Sequence, residues 1–182
     1  MFTVTVYAAS SQKLSQAHLD IAADMGTRIG HRGWRLMFGG GRHGLMGAVS
    51  SAARAAGGEI SGVILDRFIE RGLHCTETSD MHTVTDMRKR KQGLDEAGDS
   101  YVALPGGFGT FEELLEIISL KQLGFHDKPV IIVNAEGYYD PLLSMFERGF
   151  EHGFIAERHR ELFTVADTPA AAEIAIEPFA KI

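Results

Sequence analysis

Apolar residues along this chain follow two different spacings in turn. Short runs rich in β-branched and aromatic residues are separated by longer segments whose apolar positions recur every three or four residues. That alternation predicts an α/β fold, a parallel sheet with helices on its faces. The predicted strands are Thr3–Tyr7, Arg35–Phe38, Glu59–Leu65, Ser100–Leu104, Pro129–Asn134 and Leu162–Val165. The predicted helices are Leu14–Arg32, Gly44–Ala56, Val84–Ala97, Phe111–Leu123, Tyr138–His152 and Pro169–Phe179. Sheets of this kind bind ligands beyond the carboxyl ends of their strands, where the connecting loops gather. Two glycine-rich loops fall at such ends.

The first, FGGGRHGLMG at residues 38–47, follows a strand and opens a helix. Gly39, Gly41 and Gly44 match the G-x-G-x-x-G spacing of dinucleotide sites, and Asp66 stands where such a site wants an acid for the ribose hydroxyls. The loop follows the second strand, however, and that fingerprint belongs on the first. The competing explanation is a tight turn and close helix packing.

In the second loop, LPGGFGTFEELLE at residues 104–116, Pro105 ends a strand. Gly106, Gly107 and Gly109 let backbone approach a ligand without a Cβ in the way. Thr110 is then expected to cap a helix starting at Phe111, whose free N–H groups and dipole suit an anion. No lysine follows the glycines, so the loop departs from the triphosphate-binding P-loop and fits a monophosphate better. Glu113 has two readings. Thr110-x-x-Glu113 is a capping box; alternatively Glu113, at the border of the face carrying Phe111, Leu114 and Ile118, overhangs the loop. A carboxylate repels a phosphate, so in the second case it meets the sugar of the ligand.

Upstream, DMRKRKQGLDEA at residues 86–97 carries four consecutive bases. Helical phase puts Met87, Leu94 and Ala97 on one stripe flanked by Arg90 and Lys91, with Lys89, Gln92 and Glu96 opposite. An arginine on the inner edge of a helix asks for an anion, either a ligand phosphate or an inward glutamate, and a purely structural ion pair is the plain alternative.

Length and charge narrow these readings. The 182 residues, 45% of them apolar, fit a single domain spanning 1–182, without repeat or linker. A net charge of −6 lacks the basic field that nucleic-acid binding needs. Cys75 is the only cysteine, and the eight histidines show no metal-ligand spacing, so a reducing compartment and no metal are expected. The first residues carry no basic leader, and no apolar run approaches the ~20 residues that span a bilayer. The expected location is the cytoplasm, with no membrane partner.

Met87-x-x-Arg90-Lys91 followed by PGGFGTFEE resembles the paired signatures of the Lonely Guy family, the cytokinin-activating phosphoribohydrolases. GGGRHGLMG resembles the first glycine loop of that family, and LGFHDKPV, GYYDPLL and GFI at residues 153–155 agree with it. The resemblance implies a Rossmann-like, three-layer, doubly wound parallel sheet that forms a homodimer and needs no cofactor. It implies hydrolysis of the N-glycosidic bond of an adenine nucleoside 5'-monophosphate, preferably N6-isoprenoid, to free base and ribose 5-phosphate. The family's essential arginine and glutamate correspond to Arg90 and Glu113. Its substrate contacts correspond to Met87, Lys91, Gly106, Gly107, Gly109, Thr110 and Ser119, with Gly40, Gly41 and Gly44 from the first loop. Three places depart from the family pattern: Ala8-Ala9-Ser10-Ser11 lacks a glycine, Arg42-His43 are bulky, and Ser119 replaces a frequent threonine.

In that reading a carboxylate near the anomeric carbon stabilises the positive charge of glycosidic cleavage, a role for Glu113. Arg90, a fixed charge, positions the phosphate or the departing base. Two rivals stand beside it: a nucleotide or molybdenum-cofactor carrier without catalysis, and a dinucleotide oxidoreductase using the first loop and Asp66. Relatives have been labelled lysine decarboxylases, yet nothing in the sequence marks a pyridoxal phosphate lysine.

Overall fold

Strands with apolar side chains on both faces need cover on both sides, and a chain supplies it by returning through a helix after each strand. The computed structural model describes residues 1–180. In it β1 (Thr3–Tyr7), β2 (Arg35–Phe38), β3 (Ile60–Leu65), β4 (Asp80–Val84), β5 (Ser100–Ala103), β6 (Val130–Val133) and β7 (Thr164–Ala166) form one sheet. Its order is β4-β3-β2-β1-β5-β6-β7, and every pair is parallel. The helices are α1 (Gln16–His31), α2 (Gly44–Ala55), α3 (Asp66–Glu70), α4 (Met87–Ala97), α5 (Phe108–Gln122), α6 (Asp140–Glu151) and α7 (Pro169–Ile176).

Alternation along each strand sorts the core into two halves. Val4, Val6, Leu36, Phe38, Val102 and Ile131 point to one face, under α1, α2 and α7. Tyr7, Met37, Val63, Tyr101, Ala103 and Ile132 point to the other, under α4, α5 and α6. This is the doubly wound, three-layer arrangement expected. On the first face α1 and α2 approach unusually closely, because a Cβ at Gly26 would lie 2.2 Å from the Val49 carbonyl oxygen.

Several expectations are corrected. Strand β4 was not anticipated: it is an edge strand whose side chains are exposed or half-buried, so it carries no apolar signature. Val84 consequently belongs to β4, paired with Leu65, and α4 starts only at Met87 after Asp86 accepts from the Arg88 and Lys89 N–H groups at 2.7 and 3.2 Å. Helix α5 begins at Phe108 rather than Phe111, with Gly107 before it. The short α3 was also unforeseen, and α7 ends at Ile176 with a separate turn at Glu177–Phe179.

The topology fixes where a ligand goes. Leaving β1 the chain turns through α1 toward β2, whereas leaving β5 it turns through α5 toward β6 on the other side. A crevice therefore opens between the carboxyl ends of the adjacent β1 and β5. Among the described residues no helix is long and apolar enough to cross a membrane.

Candidate active site

The crevice is floored by a buried ion pair. Arg90 and Glu113 keep only 8% and 9% of their side-chain surface exposed, and Arg90 Nη1 donates to Glu113 Oε1 at 3.0 Å. Arg90 faces inward because α4 is tied to the sheet beneath it: Thr5 Oγ1 donates to the Leu94 carbonyl at 3.0 Å, and the Tyr7 hydroxyl donates to Asp95 Oδ1 at 2.9 Å. The guanidinium then meets two further acceptors, Nε donating to the Val63 carbonyl and Nη2 to the Gly39 carbonyl, both at 3.1 Å. A Cβ at Gly39 would stand 2.1 Å from Arg90 Nη2, so any larger residue there would push the guanidinium from this position.

Glu113 is therefore no capping-box residue. Helix α5 starts two residues before Thr110, no side chain caps it, and the glutamate turns toward Arg90. Burial pushes its carboxyl above the ordinary range, and the Arg90 charge opposes that shift. Among the described residues no donor reaches its second oxygen, and the residue lines a cleft of about 380 Å³. An arginine bound by three protein acceptors acts on the carboxylate it holds more than on a ligand phosphate, which narrows the role expected for it.

Above this floor lies the second glycine loop. Without a side-chain cap, the Phe108, Gly109 and Thr110 N–H groups at the start of α5 are open. Gly107 and Gly109 have free space where a Cβ would be, whereas a Cβ at Gly106 would stand 2.1 Å from Thr110 Oγ1. Thr110, buried, thus braces the loop. The opposite wall, Ala8 to Ser11 after β1, gives hydroxyls at Ser10 and Ser11. The cleft runs on into an annex of about 220 Å³, with which it shares Ser10, Met46, Phe68 and Arg90.

The first glycine loop forms the annex wall. Gly40 and Gly44 have φ of 74° and 60°, a conformation that favours glycine, and Gly41 faces the annex. Asp66 sits in the first turn of α3, where its carboxylate accepts from the Arg67 N–H at 2.7 Å. The loop thus follows β2, away from the crevice where a dinucleotide phosphate would lie.

Other expected site residues are not brought to the cleft. Lys91 Nζ reaches Glu112 and Glu116 of α5, each at 2.9 Å, and clasps the two helices together. Ser119 is exposed, with its hydroxyl donating to the Leu115 carbonyl at 2.7 Å. Met87 is 38% exposed at the first turn of α4 and lines neither cavity. Residues that sequence reasoning left out are Gln12, Ile64, Phe68 and Leu73 of the annex. Ile64 lies in β3, Phe68 in α3, and Gln12 and Leu73 in connections, so they share no motif.

Fold and site together define a doubly wound α/β protein with an anion-suited loop over a buried Arg–Glu pair. A model of the family described as "Possible lysine decarboxylase" matches residues 46–176. A cytokinin riboside 5'-monophosphate phosphoribohydrolase of Arabidopsis thaliana is 40% identical over 171 residues, covering 94% of this chain and 79% of its own. A probable enzyme of the same name from Oryza sativa subsp. japonica is 40% identical over 166 residues, 91% of this chain and 68% of its own. The chain belongs to this family, that of the Lonely Guy phosphoribohydrolases. Among solved structures, the molybdenum cofactor carrier protein of Chlamydomonas reinhardtii superposes with a TM-score of 0.74 at 21% identity, covering 98% of this chain and 97% of its own. That likeness establishes the shared fold. Among the described residues no lysine lines the cleft or the annex, so the decarboxylase description finds no Schiff-base residue among them.

Proposed function

We propose that this chain hydrolyses the N-glycosidic bond of N6-isoprenoid adenine nucleoside 5'-monophosphates, releasing free base and ribose 5-phosphate. The activity named for its relatives supports the substrate class. The observation that carries the chemistry is the buried Arg90–Glu113 pair beneath the open N-terminus of α5.

The 5'-phosphate sits on the N–H groups of Phe108 to Thr110, with Gly106, Gly107 and Gly109 allowing the approach. Anchoring the phosphate supplies binding energy remote from the reacting bond and sets C1′ against Glu113. As the base departs, positive charge grows on the sugar, and the carboxylate, fixed by Arg90, stabilises it and orients the attacking water. The mostly apolar annex, with Met46, Ile64, Phe68 and Leu73, takes the base. Gly40, Gly41 and Gly44 shape that wall.

The functional unit is one domain over residues 1–182, acting in the cytoplasm without cofactor or nucleic-acid partner. It works as a homodimer; the exposed apolar side chains Phe108 and Leu115 on α5 and Met87 on α4 support an apolar contact with a second copy. Lys91, Met87 and Ser119, which line neither the cleft nor the annex of the single chain, serve as substrate contacts completed on assembly.

The test is incubation with adenosine monophosphate and its N6-isopentenyl derivative, followed by chromatography. Liberated purine with ribose 5-phosphate is expected. Tight binding of either nucleotide without release would favour the carrier reading instead.

A further inference from the structure

The annex contains an imidazole that the reaction above leaves unused. His43 precedes α2, yet its side chain makes no capping bond to that helix. Instead the ring lines the annex, and its Nε2 lies 3.3 Å from Arg42 Nε. A guanidinium only donates, so Nε2 accepts, the ring hydrogen sits on Nδ1, and one N–H donor remains. The other polar side chains of the annex are Ser10, Gln12 and Arg90, and Arg90 is already held by Glu113, Val63 and Gly39.

This inference rests on the hydrolase reading. With the phosphate on the α5 loop and C1′ beside Glu113, the base extends into the annex that adjoins the same cleft. A purine offers ring nitrogens as acceptors along its edges. When the C1′–N bond breaks, its electron pair stays on the purine, so a donor to that ring gains strength in the transition state.

We propose that His43, held in one tautomer by Arg42, donates Nδ1–H to a ring nitrogen of the departing purine. The proton stays on His43 throughout. Water supplies hydroxide to C1′ and its remaining proton to the released base, so the imidazole serves as a fixed dipole and not as the acid. Base recognition and leaving-group stabilisation are then carried by the same bond.

The experiment compares wild type with His43→Leu, which removes the donor, and His43→Asn, whose amide nitrogen falls near the place of Nδ1. Turnover of adenosine monophosphate and inhibition by ribose 5-phosphate, which has no base, are measured for each. Expected is a loss of about tenfold to a hundredfold in kcat/KM for His43→Leu, mostly in kcat. His43→Asn should recover most of it, and ribose 5-phosphate should inhibit all three alike. Leucine equal to wild type, asparagine as impaired as leucine, or weakened ribose 5-phosphate inhibition would each overturn the assignment. Wild type that releases no purine would instead bring down the hydrolase reading itself.

Discussion

Arg90 and Glu113 meet at 3.0 Å although they stand 23 positions apart in the sequence, and each is the other's charge partner with little of its side chain exposed. Removing one partner of such a pair leaves an uncompensated buried charge, which costs about 3–5 kcal/mol. Arg90→Met should therefore destabilise the protein by that order in denaturant unfolding and abolish turnover. The double variant Arg90→Met/Glu113→Leu should regain most of the stability and none of the activity. A double variant as unstable as the single one would show that Arg90 matters through its carbonyl contacts instead.

Glu113→Gln keeps an oxygen able to accept from Arg90 and loses the negative charge. Turnover should fall by roughly two orders of magnitude or more, with a melting temperature close to that of wild type. Purine release near the wild-type rate would remove the carboxylate from the mechanism.

The nearest glycine to the pair offers an independent probe. A methyl at position 39 would stand 2.1 Å from Arg90 Nη2, so Gly39→Ala should displace the guanidinium. Overpacking of this kind costs about 1–3 kcal/mol, and activity should drop with it because Glu113 loses its orientation. Gly109→Ala, where nothing lies within 4 Å, should leave stability much less affected. Equal melting temperatures for the two variants would contradict the close contact.

Phosphate anchoring predicts that adenosine is a far poorer substrate than its 5'-monophosphate, in kcat as well as KM. Comparable kcat/KM for the two would exclude the α5 loop as the anchor.

Asp95, on the sheet-facing side of α4, has its carboxyl raised to about 6, chiefly by burial, against the hydrogen bond from Tyr7. Between the ordinary value of 3.8 and about 6 the folded protein holds a proton that the unfolded chain has released. Stability contributed by this group is thus present at low pH and declines as pH rises through that window. Asp95→Asn, which still accepts from Tyr7, should flatten the decline in unfolding measurements from pH 4 to 7 and be the more stable protein at neutral pH. A variant that follows the wild-type curve would assign the slope to other carboxylates.

The alternation of strand and helix spacings, and the glycines closing β2 and β5, were legible in the sequence because they arise from local periodicity and backbone sterics. So was the inward phase of Arg90. Strand β4 was not, since an edge strand with polar, exposed side chains has no pattern to read. Nor could helical phase decide between the two readings of Glu113, for a capping box and a buried partner put the same residues in the same order. That choice was made by tertiary structure: α5 begins three residues earlier than its composition suggested, and α4 brings a guanidinium to the one place where a buried carboxylate can keep its charge. The annex is a still purer case. Ser10, Gln12, His43, Phe68 and Leu73 become neighbours only because parallel strands deliver their loops to one edge of the sheet.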